Sequence, residues 1–191
     1  MSTVMVEQGV DVTVESRRAR RARRRLLARQ DRVSAHLAEL FSIGALLDQA
    51  AATVRGGWTQ KAWFTVATAT GTRGVTAHGL QLLTDRPVVG ACLVGGVVHA
   101  AGGPAVVRSQ LVQRTLDVTW HALREEPGRP VRWCPSPTVR TLRLLDLTGW
   151  NDARGRTQQE VVDLLVRARE LTDLERVRCR DEQVGLVVSR V

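Results

Sequence analysis

The chain has 191 residues, of which 43% are hydrophobic and 25% are charged, a length that suits one domain of ordinary size with or without an arm. This apolar content excludes a wholly disordered chain. No stretch of about 18 uncharged apolar residues is present, and residues 1–14 lack the basic flank and apolar stretch of a secretory signal. We therefore expect a cytoplasmic protein without membrane contact, and the three widely spaced cysteines fit a reduced compartment.

The positive charge is concentrated in one short segment. The formal net charge is +9, and nine arginines lie between Arg17 and Arg32 against one acid, Asp31. This arginine block (residues 17–32) therefore carries +8, which leaves the rest of the chain nearly neutral. A basic segment of this kind, attached to a neutral domain, indicates contact with a polyanion.

The N-terminal region predicts a flexible tail over residues 1–15 and an arginine-rich helical arm over 16–33, followed by a globular domain over 34–191. Ser16 is a suitable N-cap for the arm, whose arginines surround a stripe of alanine and leucine. Apolar residues at three- and four-residue steps continue the helical pattern as far as Gly56. Because Ser34 is a second suitable N-cap, the sequence leaves open whether residues 16–55 form one helix or two.

The remaining elements predict a mainly α fold (α+β with minor β), a compact helical domain with a small β element. Residues 62–70 favour a strand, because tryptophan, threonine and valine are common in strands. The apolar run over 91–101 fits a buried helix or strand, and we favour a helix. The other predicted elements are a loop over 71–79, a short helical turn over 80–83, a helix over 106–124, a loop over 125–137, a helix or strand over 138–147, a helix from 157 to about 171, and a terminal strand over 184–188.

A polar turn is predicted before the last helix. Asn151 and Asp152 can hydrogen-bond to their own neighbouring backbone, and Gly155 permits a positive φ. Thr157 and Glu160 have the spacing of a capping box, in which each residue satisfies a backbone N–H of the other. These features predict a structural role for the turn.

The arginine block is the strongest candidate binding segment. On a helix its guanidinium groups would surround most of the circumference, a distribution suited to the phosphates of RNA or DNA. The block is similar to the arginine-rich RNA-binding helices of phage antitermination proteins. The partner is expected to be a nucleic acid or an acidic protein surface, and the candidate contact residues are Arg17, Arg18, Arg20, Arg21, Arg23, Arg24, Arg25 and Arg29.

A second cluster has the chain order of a cysteine-dependent hydrolase. Cys92 would be the nucleophile, His121 its base, and Asn151 or Asp152 the residue that orients the imidazole. If Cys92 lies in the first turn of a helix, the helix dipole would lower its pKa. However, Cys92 lies in an apolar run with no hydrolase signature around it, so our leading expectation is that no residue is catalytic. Nor do we expect a metal or cofactor, because the four histidines are isolated and no P-loop is present.

Three segments together carry a family resemblance. They are Gly57-Trp58-Thr59-Gln60, Cys92-Leu93-Val94-Gly95, and the stretch from Trp150-Asn151-Asp152 to Arg156-Thr157. These segments resemble the G-W-T-Q, C-x-x-G and W-N-D-x-x-x-R-T motifs of a small family of unknown function found in bacteria, largely actinobacteria, and in phages. The resemblance covers roughly residues 46–170 and implies no activity. Lys61 stands where a glycine is usual, and the arginine block is an addition.

The sequence thus predicts a non-enzymatic accessory protein, encoded by a phage or mobile element, that contacts nucleic acid or another polyanion through its arm. One alternative is the cysteine-dependent hydrolase. The other is a structural or assembly protein, such as a virion component, that forms homo-oligomers through the helix over 16–55.

Overall fold

The computed structural model describes residues 16–79, 86–125, 129–134 and 136–188. Within this range helices predominate and one three-stranded sheet is present, which confirms the predicted mainly α fold with minor β. The elements in chain order are α1 (Arg17–Gly56), β1 (Phe64–Thr68), β2 (Gly71–Val75), β3 (Val88–Ala91), α2 (Leu93–Ala100), a 3₁₀ turn (Pro104–Val106), α3 (Gln110–Arg124), α4 (Pro137–Asn151) and α5 (Gln158–Val188). The tail predicted over 1–15 and the helical turn predicted over 80–83 lie outside the described residues.

The arm and the first helix of the domain are one continuous helix, α1, of 40 residues. The hydroxyl oxygen of Ser16 accepts a hydrogen bond from the Ala19 amide at 3.2 Å, as the predicted N-cap should. Ser34 does not start a second helix, and its side chain instead accepts a hydrogen bond from Gln183 at 3.2 Å. The helix ends where the amide of Gly57 donates to the carbonyl of Val54.

Helix α5 packs along α1 in the antiparallel direction and forms the main core with it. At one end Gln158 donates to the Val54 carbonyl at 2.6 Å, and at the other Arg29 pairs with Glu182 at 2.8 Å. Fully buried leucine, isoleucine and valine side chains fill the space between the helices. Burial of this apolar surface is the dominant stabilising term for such a pair.

One window of α1 is long and apolar enough to cross a membrane by length and composition, with a mean hydropathy of 1.3. In the fold, 44% of that window is buried, because its apolar stripe packs against α5 and α2. The core helix of a soluble protein meets the same criterion.

Two predicted elements are wrong: a tertiary contact explains the first and a local hairpin the second. Residues 184–188 are the last turn of α5, not a terminal strand, because Cys179 and Leu186 bury against the core and extend the helix. The segment 71–79, predicted as a loop, contains β2, which pairs with β1 in register Phe64↔Val75. Backbone pairing with β1 overrides the low strand propensity of the two glycines in β2.

The sheet has the order β2-β1-β3 and is antiparallel throughout. Beyond β3, the apolar run over 91–101 is helical, as predicted, with α2 beginning at Leu93. The amide of Cys92 donates to the carbonyl of Trp63 at 3.0 Å, which brings the first turn of α2 against the entry to β1. A Cβ added at Gly95 would lie 1.9 Å from the same carbonyl oxygen. Only glycine therefore permits this close approach.

We expect Gly95→Ala to destabilise the protein by about 2–3 kcal/mol, because the new methyl group forces the backbone of Trp63 away from α2. The matched control is Gly149→Ala in α4, where an added Cβ meets no atom within 4 Å. That substitution should be neutral or stabilise the protein by up to about 1 kcal/mol, through higher helix propensity. Urea denaturation measures both free energies of unfolding, and equal values for the two variants would contradict the close approach.

Candidate functional site

The three segments that carry the family resemblance meet at the side chain of Asn151, the last residue of α4. This side chain is fully buried. Its Oδ1 accepts hydrogen bonds from the indole Nε1 of Trp58 at 3.0 Å and from the amide of Leu93 at 3.1 Å. Its Nδ2 donates to the carbonyl of Thr59 at 3.2 Å and to the carboxylate of Asp152 at 2.8 Å. One amide therefore links α4, the start of α2 and the segment after α1.

Gln60 and Lys61 complete this hydrogen-bonded group. Gln60 Nε2 donates to the carbonyls of Asn151 at 3.0 Å and Ala153 at 3.1 Å. The amide of Lys61 donates to Asp152 Oδ1 at 2.9 Å. We call the residues 58–61, 92–93 and 151–152 the motif junction. The prediction that Asn151 and Asp152 bond to their own neighbouring backbone is wrong, because most of their partners lie about 60 or 90 residues away in the chain.

The turn after the motif junction has the predicted capping geometry. Gly155 has φ +82°, and the amide of Thr157 donates to the Glu160 carboxylate at 2.8 Å while the Glu160 amide donates to Thr157 Oγ1 at 3.3 Å. Arg156 packs its guanidinium 3.9 Å from the ring centre of Trp150 and donates to the Trp150 carbonyl at 3.1 Å. The second half of the W-N-D-x-x-x-R-T motif thus holds the turn that follows α4.

A pocket of about 310 Å³ opens beside the motif junction, and we call it the junction pocket. Its buried residues are Cys92 and Asn151, and its exposed residues include Lys61, His78 and Leu145. Further contributors to the wall are Ala62, Trp63, Thr76, Ala77, Leu144, Thr148 and Asp152. The structure therefore brings together three of the four residues proposed for a hydrolase, Cys92, Asn151 and Asp152.

Cys92 is the N-cap of α2, and its sulfur accepts a hydrogen bond from the Gly95 amide at 3.3 Å. The expectation that the helix start lowers its pKa is wrong. Burial raises the pKa of the Cys92 thiol to about 11, and the nearby negative charge of Asp152 acts in the same direction. The hydrogen bonds from the start of α2 oppose this shift without reversing it. Cys92 is therefore a neutral thiol at physiological pH.

His121, the proposed base, is not among the residues that line the junction pocket. It is buried on α3, where its Nε2 accepts a hydrogen bond from the Arg132 amide at 3.0 Å. The neighbouring Asp117, also buried, pairs with Arg143 of α4 at 2.9 Å. These contacts connect α3, α4 and the segment 129–134. His121 therefore helps to hold this segment against α3. Among the described residues, no group of three or more histidine, cysteine or acidic side chains is placed to hold a metal ion.

The arginine block lies at the other end of α1 and is exposed. Arg29 pairs with Glu182, and Arg32 donates to the Ala28 carbonyl at 3.2 Å. Six other arginines have no carboxylate partner among the described residues: Arg17, Arg18, Arg21, Arg23, Arg24 and Arg25. Extending the Arg29–Glu182 register places Val188, the last described residue of α5, level with the segment 23–25. The first turns of α1 therefore extend past the last described turn of α5.

Sequence reasoning missed Lys61, His78 and Thr148 of the junction pocket, because the β-hairpin and α4 come together only in the folded chain. One signal was available for Lys61. It has φ +61°, a left-handed conformation that glycine adopts without strain, and the sequence resemblance already implied glycine at this position.

Removal of the Asn151 side chain should be strongly destabilising. In Asn151→Ala the buried Leu93 amide loses its partner, and so do the half-buried Thr59 carbonyl and Trp58 indole, so we expect a loss of about 3 kcal/mol or more. Gln159→Ala is the matched control, because it removes an exposed amide whose one side-chain partner among the described residues is Asp163 of the same helix. Urea denaturation of both variants tests this, and a loss below about 1 kcal/mol in Asn151→Ala would contradict a central role for the amide.

The Cys92 thiol should resist alkylation by iodoacetamide at pH 7–8 in the native protein and react rapidly in urea, because only the thiolate is nucleophilic. Half-buried Cys134 serves as the internal reference in mass spectrometry. Preferential native labelling of Cys92 at neutral pH would instead support a catalytic thiolate.

The raised pKa of Cys92 also means that the folded state retains the thiol proton between about pH 9 and 11, while the unfolded state releases it. Cys92 should therefore lower the free energy of unfolding as the pH rises through that window.

Comparisons with known proteins add a family but no activity. No curated protein and no solved structure matches the chain. The profile of a family of unknown function (DUF6197) matches residues 38–171, a range that contains the whole motif junction and leaves out the arginine block. Since the match covers more than half of the chain, the protein belongs to the DUF6197 family of unknown function.

Proposed function

We propose that the protein is a non-enzymatic accessory protein that binds nucleic acid through the arginine block. The observation that carries this proposal is the set of six exposed arginines without a carboxylate partner among the described residues. Three of them, Arg17, Arg18 and Arg21, lie on the turns of α1 that extend past the last described turn of α5. A phosphate backbone is the natural partner of such a set, because guanidinium groups pair with phosphate oxygens in a bidentate geometry.

The angular distribution of the arginines favours a groove over a flat surface. At about 100° per residue, the arginines of the block occupy about 240° of the helix circumference. The remaining arc contains Ala19, Ala22 and Leu26 and continues the stripe that packs against the core through Val33. A flat acidic protein surface would engage one face of this helix. The phosphates on the two sides of a nucleic-acid groove would engage both flanks, so the geometry supports nucleic acid as the partner.

The continuity of α1 also favours binding. The arm belongs to the same helix as the buried residues Leu40 and Leu47, so its direction is set by the packed domain. A binding segment that is already helical loses less conformational entropy on association than a disordered one. The domain matched by the family profile would then act as the support that presents the arm.

Four substitutions of arginine by glutamine in the block, at 17, 18, 21 and 25, test the proposal. The matched control replaces the exposed Arg55, Arg73, Arg154 and Arg167, so both variants lose the same net charge. Fluorescence anisotropy with a labelled RNA hairpin and a DNA duplex, measured over a salt series, gives the affinities. On the duplex, the block variant should reduce the slope of log K against log salt by about 0.9 for each phosphate that the protein no longer neutralises.

The control variant should retain most of the affinity and slope of the wild type. Equal reductions in the two variants would show that binding depends on total charge and would contradict a specific role for the block. Poly-L-glutamate is the third probe, and if it bound as tightly as the nucleic acids, an acidic protein surface would replace nucleic acid as the proposed partner.

A further inference from the structure

Two residues that line the junction pocket, Lys61 and Asp152, carry opposite charges that do not neutralise each other. Asp152 Oδ1 accepts two hydrogen bonds, from the Lys61 amide and from Asn151. Its second oxygen, and the ammonium group of Lys61, have no hydrogen-bond or ion-pair partner within the part of the chain that the structure describes. The two groups line the same pocket, yet the ammonium stays more than the 4 Å of an ion pair from the carboxylate.

The rest of the lining is neutral at the buried end and apolar along one side. Cys92 is a neutral thiol, and the polar atoms of Asn151 are all engaged in the motif junction. Trp63, Leu144 and Leu145 supply apolar surface. A volume of about 310 Å³ lies at the small end of the range for ligand pockets, which suits a metabolite of amino-acid size better than a nucleotide.

We propose that the junction pocket binds a small zwitterion with an apolar side chain, such as a free α-amino acid. The ligand's ammonium group would donate to the second oxygen of Asp152, and its carboxylate would accept from the ammonium of Lys61. Its side chain would pack on Trp63 and Leu145. Each of these two charges would thereby gain the partner that the described residues do not provide.

The acidic half of this site is held in place before any ligand binds. The two donors on Oδ1 fix the Asp152 carboxylate, and one of them is the backbone amide of Lys61, a residue with φ +61°. A carboxylate that is already oriented loses little rotamer freedom on binding. The motif junction therefore acts as the supporting shell of the site.

This site is separate from the arginine block. Helix α1 has 40 residues and so is about 60 Å long, with the block near one end and the motif junction just beyond the other. Ligand binding in the pocket should accordingly be unchanged in the quadruple arginine variant, so failure of either proposal leaves the other standing.

Isothermal titration of the full chain with three matched ligands tests the proposal. L-Leucine carries both charges, isopentylamine lacks the carboxylate, and 4-methylpentanoate lacks the ammonium group. The wild type should bind leucine, and each analogue should bind about ten- to a hundredfold more weakly, as expected for the loss of one charge-assisted hydrogen bond. Absence of leucine binding would overturn the proposal, and so would equal binding of leucine and either analogue.

Two variants assign the binding to the junction pocket. Asp152→Asn retains an oxygen that can accept from the Lys61 amide, and Lys61→Gln replaces an exposed ammonium group with a neutral amide, so both should fold. Each should weaken leucine binding about ten- to a hundredfold. The matched controls Asp163→Asn and Arg167→Gln change exposed charges of α5 outside the pocket and should bind like the wild type. Unchanged affinity in both pocket variants, with folding confirmed by circular dichroism, would overturn the assignment.

Discussion

A single buried amide, that of Asn151, determines how the C-terminal end of α1 joins the rest of the domain. A primary amide has two donor hydrogens and an oxygen with two lone pairs, and in this protein four hydrogen bonds use them all. An aspartate at this position would have no N–H to donate to the Thr59 carbonyl. An alanine would make none of the four side-chain hydrogen bonds. Because every donor and acceptor of this buried amide has a partner, the hydrogen bonds fix one arrangement of the three segments as well as stabilising it.

The junction pocket is a direct consequence of that amide. Asp152 follows Asn151 in the chain, so fixing the amide also fixes the position of the neighbouring carboxylate beside the amide of Lys61. Cys92 enters the same wall because the next residue, Leu93, donates its amide to Asn151. The residues that surround the pocket are thus brought together by a structural interaction, and the grouping of cysteine, asparagine and aspartate does not include His121, the base that the sequence suggested.

How much of this could be predicted from the sequence depended on whether the determinant was local. The N-cap at Ser16 and the capping box at Thr157 depend on residues three positions apart, and both predictions are confirmed. β2 was missed although its partner β1 lies only two residues before it, because the two glycines of β2 favour a loop. The extension of α5 to Val188 depends on partners elsewhere in the chain and was predicted wrongly. Asn151 shows the same limit, because its residue type indicated hydrogen bonding while the identity of its partners required the fold.

The arginine block is the part of α1 whose own electrostatics oppose the helix. Pairs such as Arg17–Arg21 and Arg21–Arg25 place like charges four residues apart, each costing about 0.2–0.5 kcal/mol. The first turn contains no acidic residue to offset the positive end of the helix dipole. Helical structure must therefore propagate into the block from the packed residues that follow Leu26, where each added residue extends an existing helix and needs no new nucleus. A bound polyanion would remove both penalties together, so the tertiary packing of α1 and anion binding at its exposed end would stabilise the same helix.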